Sequence, residues 1–290
     1  MSDNFYYKAK TNILAMGELY AQVNDIKICY EIHGEGFPVI LVHGFAKKEF
    51  WIGQIGELSK EFKVIIFDNR GVGKSDRPDE LYTMEMLRDD LKALIDFLNI
   101  KKAHLIGHSE GGMIIQHFVL KYPEMVDKLI LISTNMGFPD ESAVELFKNN
   151  QIAIYESRLK DPIKTFYDKM KLRFSRKFFK EMEQDPDKIF HGIFSAKDLM
   201  TIDNTDPWMP QDILNHSHAL STHDTSDLLH KIKNKTLIIT GDKDRLTPKI
   251  ASEQLHEKIL NSNLIVIEGG HYFPLEKAPE INKHILDFLK

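Results

Sequence analysis

The chain has 290 residues, of which 42% are hydrophobic and 28% are charged, and its formal net charge is −5. This composition is typical of a globular protein, and the length is sufficient for one large α/β domain with an insertion. The absence of a clustered basic excess argues against nucleic-acid binding, and no run reaches the ~18 apolar residues of a membrane span. We therefore expect neither a nucleic-acid nor a membrane partner.

The N-terminal residues and the cysteine content indicate the cellular compartment of the protein. Residues 1–10 are polar and aromatic, and they lack the apolar region of a secretory signal peptide. Cys29 is the single cysteine, so no intramolecular disulfide can form, as is typical of a reducing compartment. We predict a cytoplasmic protein and leave its oligomeric state open.

Short apolar strands alternate with helices along the first half of the chain. The strand-like runs 19–23 and 26–32 flank Asn24-Asp25, which is a tight-turn signal. Continuous apolar runs predict strands that are buried on both faces, at 38–42, 64–67, 103–106 and 129–132. Helices are predicted between them at 50–62, 84–98 and 113–120.

This alternation stops after Ser133 and resumes a hundred residues later, at about 236. The intervening residues show helical patterns and no convincing buried strand, whereas 236–240 and 264–267 are again strand-like and 281–289 is helical. We predict an α/β core domain, residues 1–135 and 221–290, with a helical cap, residues 136–220, inserted after the sixth strand. The sheet should be mostly parallel, with helices on both faces and an antiparallel hairpin at one edge.

The stretch Gly107-His108-Ser109-Glu110-Gly111 has the form G-x-S-x-G and lies between a predicted strand and a predicted helix. In that context the pattern predicts a nucleophile elbow, a sharp turn that exposes the serine. Glycines are needed on either side because a Cβ there would clash with the neighbouring backbone. Since a serine hydroxyl is weakly nucleophilic, it also needs an adjacent base.

Three other strand ends carry candidate functional residues. They are His43-Gly44-Phe45, Gly241-Asp242-Lys243-Asp244 and Gly269-Gly270-His271. Sheets of this type bind ligands at the carboxyl ends of their strands. The chain order Ser109, Asp244, His271 is that of the hydrolase version of the serine triad.

Together with F-D-N-R-G-V-G-K-S-D at 67–76, these motifs resemble the α/β-hydrolase fold superfamily, in particular its capped carboxylesterases and enol-lactonases. The resemblance covers nearly the whole chain and implies a mostly parallel eight-stranded sheet. It implies that Ser109 is the nucleophile, His271 the base and Asp244 the orienting acid, with Asp242 as a rival acid. The backbone N–H groups of Phe45 and Glu110 would form the oxyanion hole.

Serine at the elbow, rather than aspartate, argues against halide displacement and epoxide opening and favours acyl transfer to water. We predict a serine hydrolase that cleaves a carboxylic ester or lactone of a small to medium substrate through an acyl-enzyme on Ser109, with no cofactor and no metal. The alternatives are a C–C bond hydrolase or enol-lactonase of aromatic degradation, or a non-catalytic ligand-binding protein of the same fold.

The predicted substrate pocket is apolar and draws on both the core and the cap. The basic stretch 169–180 predicts a solvated helix face, although Arg173 and Arg176 are candidates for binding a substrate carboxylate. The histidines of the cap are predicted to be solvated rather than metal-bound, and the side chain of Glu110 has no predicted role. The predicted pocket residues are Trp51, Met113, Met136, Phe138, Trp208 and Met209.

Overall fold

A computed structural model describes residues 17–138 and 140–290. It contains an eight-stranded sheet of order β1-β2-β4-β3-β5-β6-β7-β8. The pairs β1/β2 and β2/β4 are antiparallel, and the remaining pairs are parallel. The strands are β1 Leu19–Val23, β2 Ile26–His33, β3 Pro38–Val42, β4 Lys63–Phe67, β5 Ala103–His108, β6 Val126–Ile132, β7 Lys235–Gly241 and β8 Ser262–Ile267.

The predicted sheet is thus confirmed, with the antiparallel hairpin at one edge. Its turn residues, Asn24 and Asp25, have φ angles of 45° and 61°, which Asn and Asp tolerate better than most residues. Residues 1–10, on which the location was predicted, and the start of the predicted core domain lie outside the described residues.

The described helices are α1 Ile52–Leu58, α2 Met84–Phe97, α3 Glu110–Lys121, α4 Glu141–Lys160, α5 Pro162–Arg173, α6 Arg176–Gln184, α7 Ala196–Asn204, α8 Pro210–Ser221, α9 Lys249–Lys258, α10 Phe273–Glu276 and α11 Ala278–Leu289. The predicted helix 50–62 is shorter than expected, because its first turn is the 3₁₀ segment Lys48–Trp51. None of the helices in the described ranges is long and apolar enough to cross a membrane.

Apolar side chains cover both faces of the sheet. In β3, Ile40 and Val42 pack in one hydrophobic cluster with α2, α3 and α9, whereas Val39 and Leu41 pack in a second cluster with α1 and α11. Successive side chains of a strand point to opposite faces, so both faces of β3 are buried. This two-sided burial is why the strands read as continuous apolar runs.

Between β6 and β7, helices α4 to α8 form what we term the helical insertion. Its described residues contribute no strand to the sheet. They form a third apolar cluster, around Phe166 and Phe194, which includes Phe50 and Tyr272 from the rest of the chain. Because Phe50 follows β3 and Tyr272 follows β8, the helical insertion packs near the carboxyl edge of the sheet. Its division from the core at residues 136 and 220 stays a prediction.

Candidate active site

Ser109 lies on a strained turn between β5 and α3. Its φ and ψ angles are 57° and −126°, and its N–H donates to the carbonyl of Ile132 at 2.9 Å. A Cβ on Gly107 would lie 2.5 Å from the carbonyl oxygen of Gly111, and one on Gly111 would lie 2.0 Å from that of Val42. Both glycines are therefore required by close backbone approach, which is the geometry of a nucleophile elbow.

His271 and Asp244 meet at the same edge of the sheet. His271 Nδ1 lies 2.8 Å from Asp244 Oδ2, and Asp244 Oδ1 accepts from the backbone N–H groups of Leu246 and Thr247, both at 2.9 Å. Burial raises the pKa of Asp244, but the charge and hydrogen bond of His271 and the N–H of Thr247 outweigh burial and hold the pKa below its ordinary value. Asp244 is thus an ionised partner for His271.

Asp242, the rival acid, occupies a different position. It is exposed, and its Oδ1 accepts from the N–H of Gly269 at 3.0 Å. Asp242 therefore connects the loop after β7 to the loop after β8, whereas Asp244 faces the imidazole of His271.

The loop that carries His271 is held by the elbow and by the helical insertion. His108 Nε2 donates to the carbonyl of His271 at 2.9 Å, and burial lowers the pKa of His108 to about 3, so this imidazole is neutral. The N–H of Tyr272 donates to the carbonyl of Arg173 at 2.9 Å. The position of His271 consequently depends on packing between segments that are distant in sequence.

The loop 43–45 packs directly on the elbow. A Cβ on Gly44 would lie 2.6 Å from both the backbone nitrogen and the Cβ of Glu110. The N–H of Gly44 donates to Nδ1 of His43 at 2.9 Å, and Asn69 Nδ2 donates to the His43 carbonyl at 2.8 Å. Burial lowers the pKa of His43 well below its ordinary value. His43 is thus a neutral residue that shapes this loop.

The side chain of Glu110 is buried and paired, a contact that sequence reasoning missed. Glu110 Oε1 lies 2.9 Å from Nδ1 of His216 in α8, and His216 Nε2 donates to the carbonyl of Arg70 at 2.9 Å. The exposed fractions of Glu110 and His216 are 2% and 0%. The phenyl ring of Phe45 contacts the His216 ring, with 5.5 Å between the centroids. The prediction that His216 is solvated is wrong.

Three further histidines, in the predicted cap and in the loop that follows it, also form hydrogen bonds within the protein. His191, His218 and His223 each bond a backbone carbonyl, those of Glu276, Tyr82 and Asn135 respectively. His223 is buried, contrary to the expectation that it is solvated.

Three carboxylates, those of Glu18, Glu31 and Glu49, have oxygens within 4.8 Å of one another. The ammonium of Lys48 lies 2.6 Å from Glu49 Oε1 and 3.7 Å from Glu31 Oε1. Lys48 is fully buried, and it also pairs with Asp68 at 3.2 Å. This lysine therefore supplies the positive charge that the acidic cluster faces.

A pocket that is partly open to solvent adjoins the site. Phe45 and Tyr272 line it, together with Trp208, the one predicted pocket residue that it includes. Trp51 and Met113 instead pack in the core, and Met136 and Phe138 pack against it. Met209 is 44% exposed. The full lining is Phe45, Ala46, Lys47, Phe50, Gln151, Ile154, Tyr155, Arg158, Lys169, Arg173, Asp203, Trp208, Ile213 and Tyr272.

The mostly parallel sheet with helices on both faces defines an α/β protein. Ser109 on its strained turn and the buried His271–Asp244 pair lie at the carboxyl edge of this sheet. The sequence model of the alpha/beta hydrolase fold matches residues 38–278, and the chain belongs to this family. The resemblance predicted from the motifs is confirmed. Family membership implies a hydrolase that uses water and a small-molecule substrate.

Similar proteins span nearly the whole chain. It is 31% identical over 292 residues to the AB hydrolase superfamily protein YisY of Bacillus subtilis, covering 94% of this chain and 99% of that protein. It is 30% identical over 286 residues to the 2-hydroxy-6-oxo-6-phenylhexa-2,4-dienoate hydrolase of Comamonas testosteroni, with 92% and 93% covered. A thermophilic esterase from Thermogutta terrifontis superposes with a TM-score of 0.78 at 26% identity, with 94% and 98% covered.

Proposed function

We propose that the protein is a serine hydrolase that cleaves a carboxylic ester or lactone of small to medium size through an acyl-enzyme on Ser109. The observation that carries the proposal is the 2.8 Å hydrogen bond between His271 and a buried, ionised Asp244, at the sheet edge where Ser109 occupies a strained elbow. The similarity to a solved esterase supports ester cleavage.

Each residue has a role that follows from its surroundings. Asp244 holds the proton of His271 on Nδ1, so Nε2 is free to accept the proton of the Ser109 hydroxyl as it attacks the carbonyl carbon. His271 then returns that proton to the leaving alcohol, and it later deprotonates the water that attacks the acyl-enzyme. Asp244 stabilises the imidazolium in both steps.

The negative charge that develops on the carbonyl oxygen requires two donors. We assign them to the backbone N–H groups of Phe45 and Glu110. Glu110 is the first residue of α3, where N–H groups lack intrahelical acceptors and the helix dipole favours an anion. Loss of one such donor typically costs about 2.7–4 kcal/mol in the transition state.

We include the helical insertion in the proposal as a cap over the site. Three contacts between its residues and the rest of the chain support this role. Tyr272 N–H donates to the Arg173 carbonyl at 2.9 Å, Ser175 N–H donates to Glu276 Oε2 at 3.0 Å, and Phe45 stacks on Trp208 with 4.3 Å between the centroids.

C–C bond hydrolysis is the second candidate. The 30% identity to a dienoate hydrolase favours it, since a serine nucleophile with the same base can also attack the carbonyl of a vinylogous diketone. Hydrolysis of such a diketone in preference to esters would select this candidate.

The test is hydrolysis of p-nitrophenyl esters of increasing acyl length by the wild type and by four variants. Ser109→Ala and His271→Ala should each lower kcat by a factor on the order of 10⁴–10⁶. Asp244→Asn should lower kcat on the order of 10⁴-fold because it disturbs the tautomer of His271. Asp242→Asn is the matched control and should change kcat by about twofold at most, because the side chain is exposed and the asparagine Oδ1 can still accept from the Gly269 N–H.

Turnover that persists in both Ser109→Ala and His271→Ala would refute the assignment of nucleophile and base. Equal losses in Asp242→Asn and Asp244→Asn would refute the assignment of the acid. Circular dichroism of each variant checks that folding is retained.

A further inference from the structure

The pocket beside the site is strongly cationic, in contrast to the apolar pocket that the sequence predicts. Four of its lining residues carry a positive charge, namely Lys47, Arg158, Lys169 and Arg173, and Asp203 is the one carboxylate among those lining residues. Such a surplus of like charge in a partly enclosed space is unfavourable unless a further anion is present.

Protein groups engage the two lysines closely. Lys169 forms an ion pair with Asp203, and both side chains are largely buried. The ammonium of Lys47 donates to the carbonyl oxygens of Ile202 and Thr205 at the end of α7. The lysines thus have structural roles in fastening α5 and the loop after β3 to α7.

The two arginines form no direct ion pair, and the charge of Asp203, which pairs with Lys169, compensates them only from a distance. Within the described ranges, no carboxylate lies within ion-pair distance of Arg158 or Arg173. Arg158 Nη2 donates to the Trp208 carbonyl, and Arg173 Nη1 donates to the Lys169 carbonyl, both at 3.2 Å. Arg173 also bonds the hydroxyl of Tyr272. Each guanidinium has five N–H donors, so each retains donors for a ligand. Arg158 and Arg173 lie on α4 and α5, which pack against each other.

The pKa shifts around the pocket have the direction expected of uncompensated positive charge. Burial lowers the pKa of Arg158 and of Lys47, and burial with the charge of Arg173 lowers that of Lys169 to about 8. Burial raises the pKa of Asp203, yet Lys169 and Arg173 hold it below its ordinary value. An additional anion would stabilise every one of these cations.

The pocket also adjoins the proposed reacting groups. Phe45, whose N–H is assigned to the oxyanion hole, forms part of its wall. Tyr272 forms another part, and its ring stacks on the imidazole of His271 with 5.9 Å between the centroids. A substrate whose carbonyl lies at Ser109 can therefore extend a second functional group into the cationic space.

We propose that this pocket binds a carboxylate of the substrate between the guanidinium groups of Arg158 and Arg173. The substrate class is accordingly an ester, lactone or related acyl compound that carries a carboxylate group. Guanidinium suits this role because its planar donor pair matches the two oxygens of a carboxylate. The inference rests on the proposed serine hydrolase function and specifies its substrate.

The experiment compares monomethyl adipate with its neutral isostere, methyl adipamate, by following acid release in a pH-stat. Ser109→Ala provides the background rate. We expect kcat/KM to be about tenfold or more higher for the anionic ester, as one charge-assisted hydrogen bond provides. The difference should arise mainly in KM because the carboxylate is distant from the reacting carbon.

Arginine variants and matched controls locate the effect. Arg158→Met and Arg173→Met should each reduce the preference for the anionic ester about tenfold, by removing one such hydrogen bond. Lys160→Met and Lys171→Met remove the same charge from exposed positions of the same helices, outside the pocket, and should preserve the preference. If the Arg173→Met protein fails to fold because Arg173 is buried, Arg158→Met remains informative, since Arg158 is only partly buried.

The outcomes separate the inference from the function on which it rests. Turnover that depends on Ser109 but shows no preference for the anionic ester, or arginine variants that slow both esters equally, would overturn the inference alone. No turnover that depends on Ser109 would refute the proposed function for these esters. Calorimetric titration with glutarate and with glutaramide then tests the pocket directly. Glutarate binding that Arg158→Met weakens supports the carboxylate site, and its absence overturns it.

Discussion

Removal of His216 should destabilise the protein through its effect on Glu110. Both ring nitrogens of His216 face acceptors, the Glu110 carboxylate at Nδ1 and the Arg70 carbonyl at Nε2, each at 2.9 Å. A carbonyl oxygen can only accept, so Nε2 carries a hydrogen. A second proton must then lie between Nδ1 of His216 and Oε1 of Glu110, bound to one of these two atoms. Without it, two lone pairs would face each other and repel.

The structure allows the size of this effect to be estimated. Glu110 Oε2 is buried and has no hydrogen-bond partner among the described groups, so His216→Ala leaves both carboxylate oxygens without a side-chain donor. Removing one member of a buried pair costs about 3–5 kcal/mol. This is a large share of the total stability of a typical domain, which is about 5–15 kcal/mol.

A conservative change at Glu110 provides the contrast. In Glu110→Gln, the amide N–H donates to Nδ1 of a neutral His216, and His216 Nε2 still donates to Arg70. The variant keeps a hydrogen bond between the two positions, so the loss should be about 1 kcal/mol. The double variant Glu110→Met with His216→Leu removes both polar groups and should be more stable than His216→Ala, since apolar replacement of both partners is often neutral.

Urea unfolding, followed by far-UV circular dichroism, gives the free energy of unfolding of each variant. The single variants Glu110→Met and His216→Leu complete a double-mutant cycle, and the coupling between the two positions should be about 2–3 kcal/mol. A loss below about 1 kcal/mol in His216→Ala, or strictly additive effects in the cycle, would refute the reasoning, because such values are typical of exposed or independent sites.

Two further predictions concern acid stability and the loop 43–45. Burial lowers the pKa of His108 to about 3 and that of His223 to about 4, from an ordinary 6.5. At these two histidines the unfolded chain binds more protons than the folded protein between pH 4 and 6.5, so they should lower the free energy of unfolding as the pH decreases through this window, by up to about 1.4 kcal/mol per pH unit for each group. Asp68, whose pKa burial raises to about 6, opposes part of this loss. A urea midpoint that is unchanged between pH 7 and 5 would contradict this expectation. Gly44→Ala places a Cβ 2.6 Å from the Glu110 nitrogen, so it should displace the proposed oxyanion donors and lower kcat for p-nitrophenyl acetate by about 10²-fold. Gly137→Ala, whose Cβ would meet its nearest atom at 3.4 Å, is the control, and similar kcat values for the two variants would exclude this explanation.

Local patterns in the sequence were sufficient to predict most of the sheet. Strands β3 to β7 are apolar runs that are largely buried on both faces, whereas the edge strands β1 and β8 are partly exposed. Each strand is separated from the next by turn residues or a helix, so the pattern depends on neighbouring residues alone. The glycines around Ser109 had an equally local signal, because only glycine allows the close backbone contacts of the turn. The predicted helix bounds were less accurate where tertiary contacts fix the end of a helix. An example is the 3₁₀ segment Lys48–Trp51, where the Lys48 N–H donates to Asp68 Oδ1 at 3.0 Å.

The sequence by itself thus determined the strand order along the chain, the elbow and the two candidate acids, Asp242 and Asp244. The tertiary structure alone decided which acid faces His271, that Glu110 is paired with His216, and that Arg158 and Arg173 line one pocket beside the site. The physical reason is that these partners belong to helices and loops that are far apart in sequence. The contacts of Glu110 and of the two arginines depend on how the helical insertion packs near the sheet edge, and no local pattern encodes that packing.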